Sequence, residues 1–342
     1  MKKLGLFLIL FLLVVQPAGS AQGEDQIVLR WAHFMNESPA TLVATDTYIA
    51  DEVLKRTNGK IKMQIFWVNT LAQVKELLDL VKEGTLDIVS FPTGYFASAF
   101  PLWAAPNAIP FLITNFDQAQ QLGVRIPKEV PGVAEEIKAQ NLKLLMHHSL
   151  TPYQLFSTRP VTKFEDLKGL KVRTWGPFLP VAFSSAGGVG VSIFPAETYE
   201  GLRKKVIDAT LWPLPAGFYF KHYEVAPYVC LWDVMGIVGW GNWMNLDKWN
   251  SLPQDIQKTI EVVCQDALAH DRQNMLELEK KCREEMEAKG VKVSKIDPAE
   301  RQKWIDASPA FLDLWVKEME KIGKGEAALQ MKAIWLETVK KF

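Results

Sequence analysis

The chain is poor in almost everything that would mark an enzyme, a membrane protein or a nucleic-acid binder. Basic and acidic residues balance at 39 each, so no net field favours a polyanion or an anionic lipid surface. Three cysteines, Cys230, Cys264 and Cys282, are too few and too scattered for a disulfide framework or a paired-cysteine metal site, and the odd count leaves at least one free thiol. They read as small buried hydrophobes, the alternative being a Cys264–Cys282 bridge within one helical stretch. There is no G-x-S-x-G, no P-loop, no G-x-G-x-x-G after a strand and no H-E-x-x-H. Nothing in the chain calls for a cofactor. Repeats, low-complexity tracts and Pro/Ser-rich linkers are missing too, which fits two interwoven lobes better than separate beads.

The only long apolar run, Leu4 to Val15, is too short for a comfortable membrane span. Lys2 and Lys3 precede it and the small residues of Pro17-Ala18-Gly19-Ser20-Ala21 follow, the layout of a cleavable secretory signal peptide over residues 1–21. The first cysteine is Cys230, so a lipid-anchored mature form is not expected. The reading is an exported protein without membrane insertion of the mature chain, periplasmic in a double-membrane bacterium. Roughly 320 residues then remain, enough for two compact lobes.

Along these residues the hydrophobic period switches repeatedly between strand and helix, the signature of an α/β fold. Ile27 to His33, Lys60 to Trp67 and Leu86 to Phe91 read as strands, and Ala40 to Thr57 and Ala72 to Glu83 as helices stopped at Asn58-Gly59 and Gly84. Such βαβ units imply parallel strands. A second set follows: strands at Leu142 to His147, Gln154 to Ser157, Lys171 to Thr174 and Val191 to Phe194, then a helix from Ala196 to Val206. After Ile237 the chain is expected to return to the first lobe.

Among candidate sites, Gly187-Gly188-Val189-Gly190 sits between a helix and a strand and reads as a tight connection, not a phosphate cradle. His147-His148 is no metal pair, because neighbours on a strand face opposite ways. His33 lies at the carboxyl end of a strand, where open α/β sheets place ligands; a structural histidine is the other reading. Arg173 ends an apolar strand just before a turn and a helix. It would either hold an anion there or pair on the surface with Glu165 or Asp166.

The segment FEDLKGLKVRTWGPFLP around Arg173 resembles the extracytoplasmic solute receptors of TRAP transporters, the DctP type, whose DLKGLK(V/I)R motif ends in an arginine that grips a substrate carboxylate. RTNGKIKMQIFWVNTL, EGTLDIVSFPTGYF and FPLW are similar to the first lobe of the same receptors. The resemblance covers roughly residues 26 to 320. It implies a two-lobed periplasmic-binding-protein-like fold with crossing hinge segments and a long lobe-spanning helix, here Pro253 to Lys289. Lobe I would hold residues 26–150 plus 238–277 and lobe II residues 151–237 plus 278–342. It further implies capture of a small organic acid between the lobes and delivery to the membrane subunits of a TRAP permease, with no chemistry done on the ligand.

The departures from the family pattern bear on the ligand. Where many members carry a second arginine in an R-Q-x-T context, this chain has Tyr153 in Thr151-Pro152-Tyr153-Gln154. The family's V-D-G-x-E-N-P becomes Ile207-Asp208-Ala209-Thr210-Leu211-Trp212-Pro213, so Trp212 replaces an asparagine that contacts the carboxylate; L-T-N-H becomes Leu231-Trp232-Asp233-Val234. Dicarboxylates and sugar acids fit this pattern poorly, and a monocarboxylate with an apolar or aromatic body fits better. Trp175, Phe178 and Tyr95 join Trp212 as candidate walls, and Asp233 or Glu37 would pair with an ammonium group if the ligand carried one. Two rival readings are a periplasmic sensor module for a membrane kinase, and an exported α/β enzyme using Asp208 or Asp233 as base, for which no nucleophile with a positioned partner is evident.

Overall fold

The computed structural model describes residues 26–37, 43–193, 195–237 and 239–342. The signal peptide expected over residues 1–21 and the start of the helix expected from Ala40 lie outside the described residues. Among the described residues there are eleven strands: β1 Ile27–His33, β2 Ile61–Phe66, β3 Ile88–Phe91, β4 Leu142–His147, β5 Tyr153–Ser157, β6 Lys171–Thr174, β7 Val189–Ser192, β8 Ala209–Trp212, β9 Tyr228–Met235, β10 Gly241–Asn245 and β11 Lys292–Lys295. They form two sheets, one in the order β2-β1-β3-β10-β4 and one in the order β11-β9-β5-β8-β6-β7. In the first, β1 runs parallel to β2 and β3 and β10 runs antiparallel to β3 and β4. Thus β10, which follows residue 237, does return to the first sheet.

The chain crosses between the sheets at three places. Ser149 to Pro152 carries it from β4 to β5, Gly236 to Trp240 carries it back from β9 to β10, and the long helix Gln254–Ala288 spans both units. At about 1.5 Å per residue the 35 residues of that helix reach about 50 Å. Its buried stripe is Ile256, Ile260, Val263, Cys264, Ala267, Asp271, Met275, Leu278, Cys282 and Met286, the three- and four-residue spacing of one helical face. Cys264 and Cys282, 18 positions apart on this single helix, are about 27 Å from each other; all three cysteines are buried and free.

The two strand crossings lie side by side: the His148 amide donates to the Trp240 carbonyl at 2.8 Å and the Leu150 amide to the Ile237 carbonyl at 3.4 Å. A side chain at Gly239 would put its Cβ 2.7 Å from the His148 carbonyl oxygen. Gly239→Ala should therefore force the crossings apart and cost about 1–3 kcal/mol, read as a lower urea midpoint; an unchanged midpoint would show that the crossing yields without cost.

Several boundaries differ from the sequence reading, each for a local reason. The helix expected over Ala72 to Glu83 opens as a 3-10 turn, Val74–Glu76, with a Gln73/Glu76 capping box, and becomes α-helical only at Leu77–Lys82. The strand expected over Val191 to Phe194 is Val189–Ser192, because pairing with β6 begins at Lys171 opposite Val189; Phe194 lies outside the described residues. Gly190 is required inside that strand, since a Cβ there would meet Thr174 Oγ1 at 2.8 Å. The helix expected over Ala196 to Val206 is a 3-10 turn, Pro195–Glu197, followed by Thr198–Arg203. Sequence periodicity left β8, β9, β10 and β11 unassigned. It also missed that the final helix, Gly325–Lys341, packs on the helices Phe116–Glu129 and Pro131–Ala139 beside the first sheet.

Most of the tryptophans are core. Trp31, Trp103, Trp232, Trp243, Trp304 and Trp335 are each less than 2 % exposed. Trp175 and Trp212 are only half-buried, and both flank Arg173.

Candidate functional site

Arg173 sits in β6, between the parallel strands β7 and β8, near the carboxyl ends where α/β sheets present ligands. It is 6 % exposed. Its Nε donates to the Ile193 carbonyl at 3.2 Å, and the guanidinium lies 4.9 Å from the Trp175 ring centroid and 5.1 Å from that of Trp212, two cation–π contacts. Among the described residues no carboxylate pairs with it. Asp166 accepts instead from the Thr162 and Lys163 amides and Glu165 lies 3.6 Å from Lys303, so the surface-pair reading of Arg173 does not hold. Burial depresses its pKa, opposed only by the phenols of Tyr153 and Tyr95. A guanidinium stays protonated under such pressure. It is therefore a buried cation lacking a counter-ion.

Tyr153 completes an aromatic wall, its ring 5.6 Å from Trp175 and stacked at 6.5 Å on Trp212. Its hydroxyl pKa is raised by burial and by Tyr95, against the pull of Arg173. Tyr95 comes from the turn Thr93–Phe96 after β3, on the first sheet's side, is 56 % exposed and meets the Phe34 ring edge-on at 6.2 Å. Desolvation still raises its phenol, partly offset by the Arg173 charge. The structure thus brings Arg173, Trp175, Trp212, Tyr153 and Tyr95 together.

The remaining candidates go elsewhere. Phe178 is 5 % exposed and packs edge-on against Phe311 in the core, because it opens the helix Phe178–Ser185 on its buried face. His33 has no free ring nitrogen: Nε2 is 3.2 Å from Asp46 and Nδ1 accepts from the Met35 amide at 2.9 Å. Asp233 is tied to Gln154, whose Nε2 donates to it at 2.6 Å, and burial raises its carboxyl. Glu37 is exposed. Asp208, the other candidate base, accepts the Lys171 amide at 3.0 Å and faces no nucleophile.

Sequence reasoning missed His222. Its ring lies 5.5 Å from Trp212, it is 1 % exposed, and burial followed by the Arg173 charge pushes it down to about 4, so it is neutral at pH 7. Both of its nitrogens, Trp212 Nε1 and Thr210 Oγ1 are buried without hydrogen-bond partners among the described residues. No motif flags it, since a turn and a short helix separate it from Trp212. A broader groove beside β4 holds Lys143, but that charge is already paired with Glu261 at 2.8 Å.

No group of three or more His, Cys, Asp or Glu among the described residues could hold a metal ion, and no described helix is long and apolar enough to cross a membrane. What the arrangement offers is a desolvated cation in an aromatic box, which is equipment for binding an organic anion.

Comparison with known proteins agrees in architecture. Residues 32–318 match the bacterial extracellular solute-binding protein family 7, DctP. The 2,3-diketo-L-gulonate-binding periplasmic protein of Escherichia coli is 26 % identical over 85 % of this chain and 88 % of its own. A TRAP periplasmic solute-binding protein from Desulfovibrio salexigens superposes with a TM-score of 0.80 at 24 % identity, covering 92 % of this chain and 97 % of that one. Another from Desulfovibrio salexigens, with bound orotic acid, gives 0.77 at 20 % identity over 92 % and 99 %. These are two-lobed binding proteins and not enzymes. With a family match spanning most of its length and the fold to go with it, this chain belongs to the DctP family of bacterial extracellular solute-binding proteins.

Proposed function

We propose that the protein is a periplasmic receptor of a TRAP transporter that captures an organic monocarboxylate with an apolar or aromatic part. The observation that carries this reading is the buried Arg173 guanidinium, without a carboxylate partner among the described residues and in cation–π contact with both Trp175 and Trp212. A carboxylate binds such a fork through two charge-assisted hydrogen bonds, while the indoles and Tyr153 cover the rest of the ligand at about 25 cal/mol per Å² of apolar area.

The lobes follow the two sheets with the boundaries read from the sequence, except that the final helix belongs with the first. The solute settles against Arg173 on the second lobe, the Tyr95 side swings over it, and differential affinity for the closed form shifts the population. The closed receptor then docks on the permease membrane subunits. The apolar run Leu4 to Val15 with its flanking lysines and small residues, read as a signal peptide, supports a periplasmic location.

A thermal-shift screen of aryl and indolyl acids, branched 2-oxo acids, aromatic amino acids, C4-dicarboxylates and sugar acids tests the ligand class. A true ligand at about a hundred times its Kd stabilises the fold by about 2.7 kcal/mol. Trp212→Ala should weaken binding by more than it lowers stability. Tight binding of dicarboxylates or sugar acids, with none of the aromatic or branched acids, would discard the proposed ligand class.

A further inference from the structure

The buried stripe of the long helix has one charged member, Asp271, 2 % exposed. It stands where the helix changes partners. On its N-terminal side Ile256, Ile260, Val263 and Ala267 pack with Leu29, Trp31, Ile49 and Val53 of the first unit; on its C-terminal side Met275, Leu278 and Cys282 pack around Phe116 and against Phe218 and Tyr219. Asp271 accepts from His148 Nδ1 at 2.9 Å and from the Ser149 amide at 3.2 Å. The opposite nitrogen, His148 Nε2, is 2.8 Å from Asp46 of the helix Ala44–Arg56.

With a carboxylate on each ring nitrogen, only an imidazolium can donate to both. The same ring stacks on Trp240 at 4.5 Å, and the His148 amide donates to the Trp240 carbonyl. His148 therefore touches three crossing segments: its own, which leads out of β4, the returning one through Trp240, and the long helix through Asp271. Asp46 anchors all of this to the first unit, where it is further held by Asn242 and by His33 at 3.2 Å.

We propose that His148, clamped as an imidazolium between Asp46 and Asp271, is the pivot of the hinge: a positioning residue that fixes the three crossing segments to the first lobe and sets the balance between open and closed forms. The inference rests on the lobe-closure reading given above, not on which acid is bound. Apart from the two carboxylates, the titratable groups around the clamp among the described residues are His33 of β1, His147 of β4, and Cys264 and His270 of the long helix, the last 3.1 Å from Thr45 Oγ1 beside Asp46. His147 is the opposite of its neighbour. Burial pushes it down to about 3, whereas for His148 burial pulls down but Asp46 and Asp271 outweigh it and lift the pKa to about 10. A folded pKa above the ordinary 6.5 means that the clamp's contribution is complete below pH 6.5 and fades as pH rises towards 10.

Two measurements on the whole mature chain test the pivot. In histidine-¹⁵N spectra, His148 should keep both N–H signals from pH 6 to 8.5; a neutral ring at pH 8 overturns the proposal. Spin labels at Lys62→Cys and Lys204→Cys, exposed positions on the two units, should give an inter-lobe distance distribution that shifts or broadens in His148→Gln and Asp271→Asn. Both variants should also melt on the order of 5–10 °C lower. Should His148→Gln fail to fold, Asp271→Asn, which keeps an acceptor for Nδ1 and removes the charge, carries the test. Asp117→Asn, breaking the exposed Arg272–Asp117 pair beside it, should leave the distribution unchanged. Variants that melt lower yet keep the wild-type distribution would make the clamp merely structural and overturn the pivot. Since the distances are taken on ligand-free protein, the acid-binding reading is decided separately by the thermal-shift screen.

Discussion

Arg173→Ala should abolish acid binding and leave the ligand-free protein no less stable. Truncating one partner of a buried, hydrogen-bonded charge pair costs about 2–5 kcal/mol, a rise in Kd from about thirty-fold to a few thousand-fold. The asymmetry with stability follows from what Arg173 touches. It makes one hydrogen bond, to Ile193, and has no carboxylate to strand among the described residues, so its removal relieves an unpaired buried cation while losing two cation–π contacts. Lysine should rescue only partly, because an ammonium cannot offer the two parallel donors of the fork. Calorimetry with the tightest acid from the screen, beside a melting curve of the free variant, reads both effects. Undiminished affinity would show that the acid binds elsewhere, and a large loss of ligand-free stability would show that Arg173 is a structural residue.

How much of this was legible in the sequence depended on whether the cause was local. Arg173 could be found because it ends an eight-residue motif whose turn and strand are fixed by near neighbours. The long helix was placed to within one residue at each end through the family resemblance, which implied a lobe-spanning helix over Pro253 to Lys289. The aromatic partners in neighbouring strands, Trp212 and Tyr153, were found only through their departures from a family pattern. Phe178 was singled out for lying beside the family's binding segment and His33 for its strand-end position, but packing against Phe311 and hydrogen bonding to Asp46 decided where each one points. The His148 clamp was beyond sequence reasoning altogether, because its two carboxylates lie 102 and 123 positions away. The pair His147-His148 looked alike on paper, yet one ring is neutral among Trp103 and Trp243 and the other is charged between aspartates.

Arg301, half-buried, shows what a desolvated arginine looks like when the protein itself satisfies it, and its replacement should have the opposite signature to that of Arg173. Burial depresses its pKa as it does for Arg173. Its guanidinium, however, donates to the carbonyls of Trp232 at 3.1 Å, Phe111 at 3.0 Å and Asp233 at 3.0 Å, and lies over the Phe111 ring. Two of those carbonyls belong to residues in left-handed backbone, Phe111 at φ 70° and Asp233 at φ 46°, conformations that a non-glycine residue holds only when its surroundings fix it. The contacts join the end of β9, the loop at Phe111 and the helix Pro298–Ala307. Arg301→Ala would leave three carbonyls without this charged donor and loosen both strained residues, at a cost of about 3–5 kcal/mol. That corresponds to a melting temperature lower by roughly 5–10 °C, while the affinity for an acid ligand, measured below the new transition, should change less than three-fold. A variant that melts normally would show that solvent replaces the guanidinium at no cost. A variant that melts normally and also loses the ligand would move Arg301 into the binding site and leave Arg173 without its claim to be the anion-binding arginine.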